Sequence, residues 1–205
     1  MLERSRKVLA QRPDLLAIYN LIPENSRIID LGCGDGSLLY VLRKEKNVYG
    51  CGIEISEEKI INCVAAGVPV VHGNLDNGLK EYPEKSFNYV VLSQTLQAVK
   101  SPDKLLDEMA RVGENVIISL INFGHYTIRF QLMFKGRMPI SESLPTPWYK
   151  TSNIHLSTIK DFRELCQSKG LKIIREIPIN PSFGLLGASW SNMFAPISVF
   201  LIKKD

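Results

Sequence analysis

The chain has no apolar run long enough to cross a bilayer, which takes about 18 residues. Its longest such stretches, around Val116–Ile121 and Pro196–Ile202, are short and rich in β-branched residues, so they are expected in a sheet. The opening Met1–Pro13 has no extended apolar core with small residues behind it, as a secretory leader would, and the expected location is the cytoplasm. Cysteine is scarce: Cys33, Cys51, Cys63 and Cys166 form no C-x-x-C pair, and only His72, His125 and His155 are available to share a metal with them. Reduced thiols and no metal site are expected. A large excess of one charge is also missing. The net charge is +4, and basic residues fall in mixed clusters such as Arg43-Lys44-Glu45-Lys46 instead of along one periodic face, which argues against a nucleic-acid partner.

What is present is a globular balance. The 205 residues, 45% hydrophobic and 22% charged, suffice for one domain with a full core. Apolar strand-like runs alternate with amphipathic segments that stop at glycine, the pattern of an α/β fold with helices on both faces of a parallel sheet. After a helical extension over residues 1–24, strands are expected at Arg27–Leu31, Val48–Ile53, Val68–His72, Phe87–Leu92, Val116–Leu120, Leu171–Ile177 and Ile197–Lys203. Helices are expected from Ser37 to about Lys44, from a Ser56 cap to Gly67, from Ser101-Pro102 to Gly113, and from a Thr158 cap to Gly170. The alternation breaks over residues 122–157, where a helix at His125–Phe134 leads into a proline-bearing stretch, and an irregular insertion of that length is usually functional or mobile. A glycine- and aromatic-containing loop, Pro181–Pro196, separates the last two strands.

At the end of the first strand stands Asp30-Leu31-Gly32-Cys33-Gly34-Asp35-Gly36, opening a helix. Glycines there let backbone approach a ligand, and the free N–H groups of a helix start face it. Nucleotide folds share that much, and a tight turn with no ligand gives the same letters. Two details discriminate. The spacing is G-x-G-x-G, with Ser37 where the dinucleotide fingerprint has its third glycine. The loop also carries Asp30 and Asp35, with no Lys or Arg as far as Leu42. Unit charges ~4 Å apart are worth roughly 4 kcal/mol at an effective dielectric near 20, so these acids repel a phosphate and attract a cation. S-adenosylmethionine has no phosphate and carries a sulfonium and an ammonium group; it, or S-adenosylhomocysteine, is the expected cofactor.

The second strand leads into Glu54-Ile55-Ser56, about twenty residues beyond the glycines, where an acidic side chain is placed to accept from both ribose hydroxyls. Asn74-Leu75-Asp76 and Ser93-Gln94 follow the third and fourth strands, at the carboxyl ends where open α/β sheets bind ligands. They are candidates to line the adenine and methionine ends of the site, although turn chemistry alone also accounts for Asn74 and Asp76. Cys33 needs no role beyond its small size.

Methyl transfer is an in-line displacement that chiefly needs the acceptor held in place, with a base only if the acceptor must lose a proton. His125, Tyr126 and His155, all in the insertion, are the candidates for such a base. The insertion also has the composition of an interface: Phe130, Leu132, Met133, Phe134, Met138, Trp148 and Tyr149, with Arg129 and Arg137 among them. Core packing is the plainer account for about half of these.

The pattern as a whole resembles the methionine-biosynthesis MetW family, a branch of the class I methyltransferase-like fold. The likeness runs through Asp30–Gly36, Gly52-Ile53-Glu54-Ile55, Gly73-Asn74-Leu75-Asp76 and Leu92–Val99, then through Asn122-Phe123-Gly124-His125, Gly136-Arg137-Met138-Pro139, Trp148-Tyr149 and Thr151–His155. It departs at Asn88, Ile121 and Tyr126, where the family tends to have Asp, Pro and Trp. The resemblance implies a Rossmann-like, seven-stranded sheet with an antiparallel last strand. It also implies a role beside homoserine O-acyltransferase of the MetX type, which family members bind and activate. A true small-molecule methyltransferase is the alternative, and a ligand-free domain of the same fold the third.

Overall fold

The computed structural model describes residues 2–141, 143–180 and 190–204. Two helices come first, α1 (Leu2–Gln11) and α2 (Pro13–Leu21). The break between them falls at Pro13, which opens a helix readily but cannot continue one. Strands and helices then alternate: β1 (Arg27–Leu31), α3 (Ser37–Lys46), β2 (Tyr49–Glu54), α4 (Glu57–Ala65), β3 (Val70–His72), β4 (Phe87–Ser93), α5 (Pro102–Val112) and β5 (Gly113–Ile121). After the insertion with its single helix α6 (Tyr126–Lys135) come α7 (Ile159–Ser168), β6 (Leu171–Ile179), the short α8 (Ser191–Phe194) and β7 (Ile197–Lys204).

The seven strands form one sheet in the order β3-β2-β1-β4-β5-β7-β6. Neighbours are parallel except around β7, which runs antiparallel to both β5 and β6. Successive side chains of β1 leave on opposite faces, as the pleat demands, and seed two cores. Ile29 and Leu31 join Val90, Leu92, Leu106 of α5 and Phe162 of α7. Ile28 joins Val91, Ile117, Ile18 of α2 and Leu39 of α3. Register then aligns the strand ends: Leu31 pairs with Ile53 on one side and Leu92 on the other, so the turns after β1, β2 and β4 share one edge.

Several details differ from expectation. Strand β3 starts at Val70, and β5 starts at Gly113, where α5 stops. Ser56 and Ser101 make no side-chain capping bond; at α4 the Glu54 carboxylate takes the Ser56 N–H instead. Thr158 does cap α7, through a reciprocal box with Asp161. Within the loop Pro181–Pro196, residues 181–189 lie outside the described residues, and α8 occupies its end. No described helix is long and apolar enough to cross a membrane.

Candidate functional site

The turn after β1 is built on left-handed backbone: Gly32, Gly34 and Gly36 have φ of +70°, +61° and +74°. Gly34 is the open one, with no atom within 4 Å of where a Cβ would stand. Below the loop, space is closed. Cys33 points its thiol at Gly52 of β2, where an added Cβ would stand 2.2 Å from the sulfur. Burial first, and the Asp30 charge second, hold that thiol protonated, so it is packing and not a nucleophile. Cys63 donates to the Gly34 carbonyl at 3.2 Å and fixes the loop from α4.

Two acidic residues of the region, Asp35 and Glu54, have structural tasks. Asp35 accepts the Ser37 N–H at 3.1 Å and so holds the first turn of α3. Glu54, only 5% exposed, accepts Ile55 N–H and Ser56 N–H on Oε1 at 3.0 Å each and Gly34 N–H on Oε2 at 2.9 Å. A carboxylate offers about four acceptor positions, so roughly one remains for a ligand, not the two that both ribose hydroxyls require. Asp30 is buried with no ion-pair partner among the described residues. Burial, with the neighbouring Glu54 charge second, pushes its carboxyl up to about 7.

The next two strand ends divide. After β3, Asn74 accepts the Asp76 N–H at 2.9 Å and Asp76 accepts the Lys100 N–H at 2.8 Å, while Leu75 packs on the core, so here the turn chemistry is what is seen. After β4, Ser93 and Gln94 turn away from the glycine loop toward a carboxylate that sequence reasoning missed. Asp14 of α2 is fully buried and receives Arg12 Nε and Nη2 at 2.8 and 2.7 Å. Ser93 Oγ, Gln94 Nε2 and Ser119 Oγ donate to it at 3.1, 3.0 and 3.1 Å. Burial alone raises this carboxyl, but Arg12 first and the two serines next hold it below its ordinary value.

This network closes one side of a cleft of about 720 Å³ at the carboxyl ends of the strands. Its walls among the described residues are the α1–α2 junction, the start of α6, Ile140, Ser141, Ser143 and Pro145, and the facing ends of β6 and β7. His125 and Tyr126 stand on it, with ring centroids 4.6 Å apart. The His125 Nδ1 is 2.7 Å from Thr127 Oγ1, and burial lowers its pKa. His155 is not among the residues lining the cleft; its Nε2 is buried without a partner among the described residues, and its backbone N–H donates to Gln97 O.

The family model for methionine biosynthesis protein MetW matches residues 12–202. The chain belongs to the MetW family. The bifunctional methionine biosynthesis protein MetXA/MetW of Rhodopirellula baltica is 34% identical over 170 residues, covering 78% of this chain and 27% of that protein. The chain thus spans about a quarter of the length of that relative. Solved structures share the fold at low identity. An S-adenosylmethionine-dependent methyltransferase from Mesorhizobium loti superposes with a TM-score of 0.69 at 19% identity, over 95% of this chain and 98% of that one. A phosphoethanolamine N-methyltransferase 2 of Haemonchus contortus, in complex with S-adenosyl-L-methionine, gives 0.68 at 16%, over 95% and 52%.

Within this MetW-family chain the insertion is tied down at its root and bare at its outer surface. Gln97, buried behind β4, donates to Ile121 O and Ser157 Oγ, accepts the Ile121 N–H, and receives Ile154 and His155 N–H on its backbone oxygen. The bond to Ile121 N–H is one that a proline there has no hydrogen to make. Asn122 bridges to Asn192 O and Ala195 O, and Arg129 is used locally, donating to Gly124 O. Ile128 and Leu144 bury against Ile121. The seven aromatic, leucine and methionine residues singled out in the sequence are all exposed, Phe134 at 73% and Trp148 at 69% being the extremes. Core packing accounts for none of them in this structure.

Proposed function

We propose that this chain is an S-adenosylmethionine-binding accessory subunit that docks on homoserine O-acyltransferase and raises its rate. The observation that carries the partner is the Rhodopirellula baltica relative, named MetXA/MetW as one bifunctional protein. Fusing two modules keeps them at high effective concentration, an arrangement suited to parts that work together. The exposed aromatics of the insertion supply a surface of the required kind: aromatic and methionine side chains left in water by the fold itself.

Three features support the cofactor. The open crest at Gly34 leaves room for a ligand against bare backbone. Asp30 is a buried acid in want of a cation, which a sulfonium or ammonium group supplies. Glu54, Ile55 and the Asp30–Gly36 turn meet at one sheet edge. In this reading Glu54 takes one ribose hydroxyl on its remaining acceptor position, or releases a backbone N–H to take both. Ser93 and Gln94, committed to Asp14, border the far end of the site.

The test is the rate of purified homoserine O-acyltransferase from the same organism, with and without this protein, at saturating substrates. A rise supports the subunit reading. An unchanged rate, with no complex on size exclusion, overturns it. A methyltransferase of small molecules is the second reading, favoured by the cleft beside the strand ends, where His125 is held uncharged near neutral pH and able to accept a proton. When bound, the cofactor supplies the electrophilic methyl; the cleft holds the acceptor and keeps water from it. Label transfer from methyl-labelled S-adenosylmethionine to a small-molecule extract decides between the two.

A further inference from the structure

We propose that the 720 Å³ cleft is a binding site for a small aliphatic monocarboxylate, held by the free Nη1 of Arg12. It is separate from the glycine loop and stands whether or not S-adenosylmethionine binds.

The grip follows from how Arg12 is held. Its guanidinium has five N–H donors. Nε and one Nη2 hydrogen grip Asp14, and the other Nη2 hydrogen is directed at Ser93 Oγ, 3.0 Å away. The two Nη1 hydrogens have no acceptor among the described residues, and the side chain remains 41% exposed on the cleft wall. A guanidinium clamped on one edge loses little freedom when a ligand binds its remaining nitrogen, and the two diverging Nη1 hydrogens offer a carboxylate a charge-assisted hydrogen bond. The charge of Asp14 is spread over three neutral donors besides Arg12, so the wall presents the cation and keeps the anion behind it.

The remaining lining sets the class of ligand. Apart from Arg12 and Asp14, no Lys, Arg, Asp or Glu lines the described cleft, and burial keeps His125 from adding a second positive charge near neutral pH. Arg12 and Asp14 already balance each other, so a monocarboxylate adds one net negative charge to the wall, whereas a phosphate or a dicarboxylate adds more. Ile140, Pro145, Ile179, Pro196 and Ile197 offer an apolar bed for an aliphatic body, and Gln131, Ser141 and Ser143 offer neutral hydrogen bonds. The volume falls within the range of small-molecule sites, roughly 300–1,000 Å³.

The test uses the whole chain without S-adenosylmethionine, titrated calorimetrically with hexanoate, N-acetyl-L-leucine and L-norleucine, each against its primary amide. At least one acid is expected to bind with a Kd below about 1 mM and its amide at least tenfold more weakly, the loss of one charged hydrogen-bonded contact. Arg12→Lys keeps a cation beside Asp14 but lacks the free Nη1 donors, and is expected to weaken the acid at least tenfold while the unfolding midpoint shows that the fold remains. Equal binding of acid and amide, no binding of any acid at about 10 mM, or wild-type affinity in a folded Arg12→Lys protein would each overturn the proposal. A separate titration with S-adenosylmethionine keeps failure here distinct from failure of the cofactor reading.

Discussion

The two halves of the strand-end edge are built differently. Around β1 and β2 the site is a tight backbone turn, its contacts spanning 2 to 29 residues and its acids bonded mostly to main-chain N–H groups. Around β4, β5 and the insertion it is an open cleft held by side chains 80 to 105 residues apart in the chain. The first arrangement fixes a shape through conformations that only glycine adopts readily, and it tolerates little change. The second fixes a shape through one buried carboxylate and leaves its outer surface free to vary. A fold divided this way holds one turn rigidly by backbone while the neighbouring cleft depends on side chains.

The largest expected effect tests the rigid half. Gly52→Val places a branched side chain where a Cβ alone would overlap the Cys33 sulfur. It should cost about 3 kcal/mol or more in urea unfolding and abolish S-adenosylmethionine binding. A wild-type unfolding midpoint would show that the turn is softer than its packing suggests. Next comes the peg of the open half. Asp14→Ala leaves Arg12, Ser93, Gln94 and Ser119 without their common acceptor, with a loss of about 2–4 kcal/mol expected by the same measurement. The sign with pH follows from the lowered carboxyl of Asp14: its contribution is complete above about pH 4 and fades as pH falls through the folded value, so the gap between wild type and variant should narrow in acid.

A smaller effect separates the halves by titration. Asp30 carries the opposite shift, so the native state keeps a proton that the unfolded chain has lost between about pH 4 and 7, and folding stability attributable to it declines across that window. A bound cation must displace that proton. S-adenosylmethionine affinity is therefore expected to rise about fivefold from pH 6 to 7 with proton release, and Asp30→Asn should flatten the rise. An equally steep rise in the variant would place the titrating group elsewhere. The smallest effect on the fold belongs to the outer surface of the insertion. Phe134→Ser and Trp148→Ala should change stability by less than about 0.5 kcal/mol, since both side chains already lie in water, while reducing activation of the acyltransferase. Full activation by the double variant would move the docking surface to another face.

The same division explains what was legible in the sequence. The glycine turn, Glu54 and the helix start at Thr158 were readable because local backbone chemistry dictates them within a few residues. Asp14 was not. An acid one residue after a helix-opening proline is ordinary first-turn chemistry, and nothing near it announces partners on β4 and β5. Ser56 misled for the converse reason: it has the right residue type for a cap, but its side chain makes no capping bond, and the glutamate two positions earlier takes its backbone N–H. The exposed aromatics were visible as composition, whereas their exposure depends on Ile128 and Leu144 turning inward in their place.

The position of β7 has a consequence for how the chain is made. It is the last of the described strands in sequence, yet it lies between β5 and β6, and β6 has no other neighbour among the described residues. A nascent chain can therefore assemble β1 through β5 while the open edge at Val116–Ile121 waits, and β6 leaves the ribosome with nothing to pair with. Helix α2 packs on β6 and β7 as well, so part of its seat forms only when strands at least 150 residues further along have been made. Until residues 197–204 arrive, an isoleucine-rich strand edge remains available to other chains, which makes synthesis of this protein the stage most exposed to misassembly.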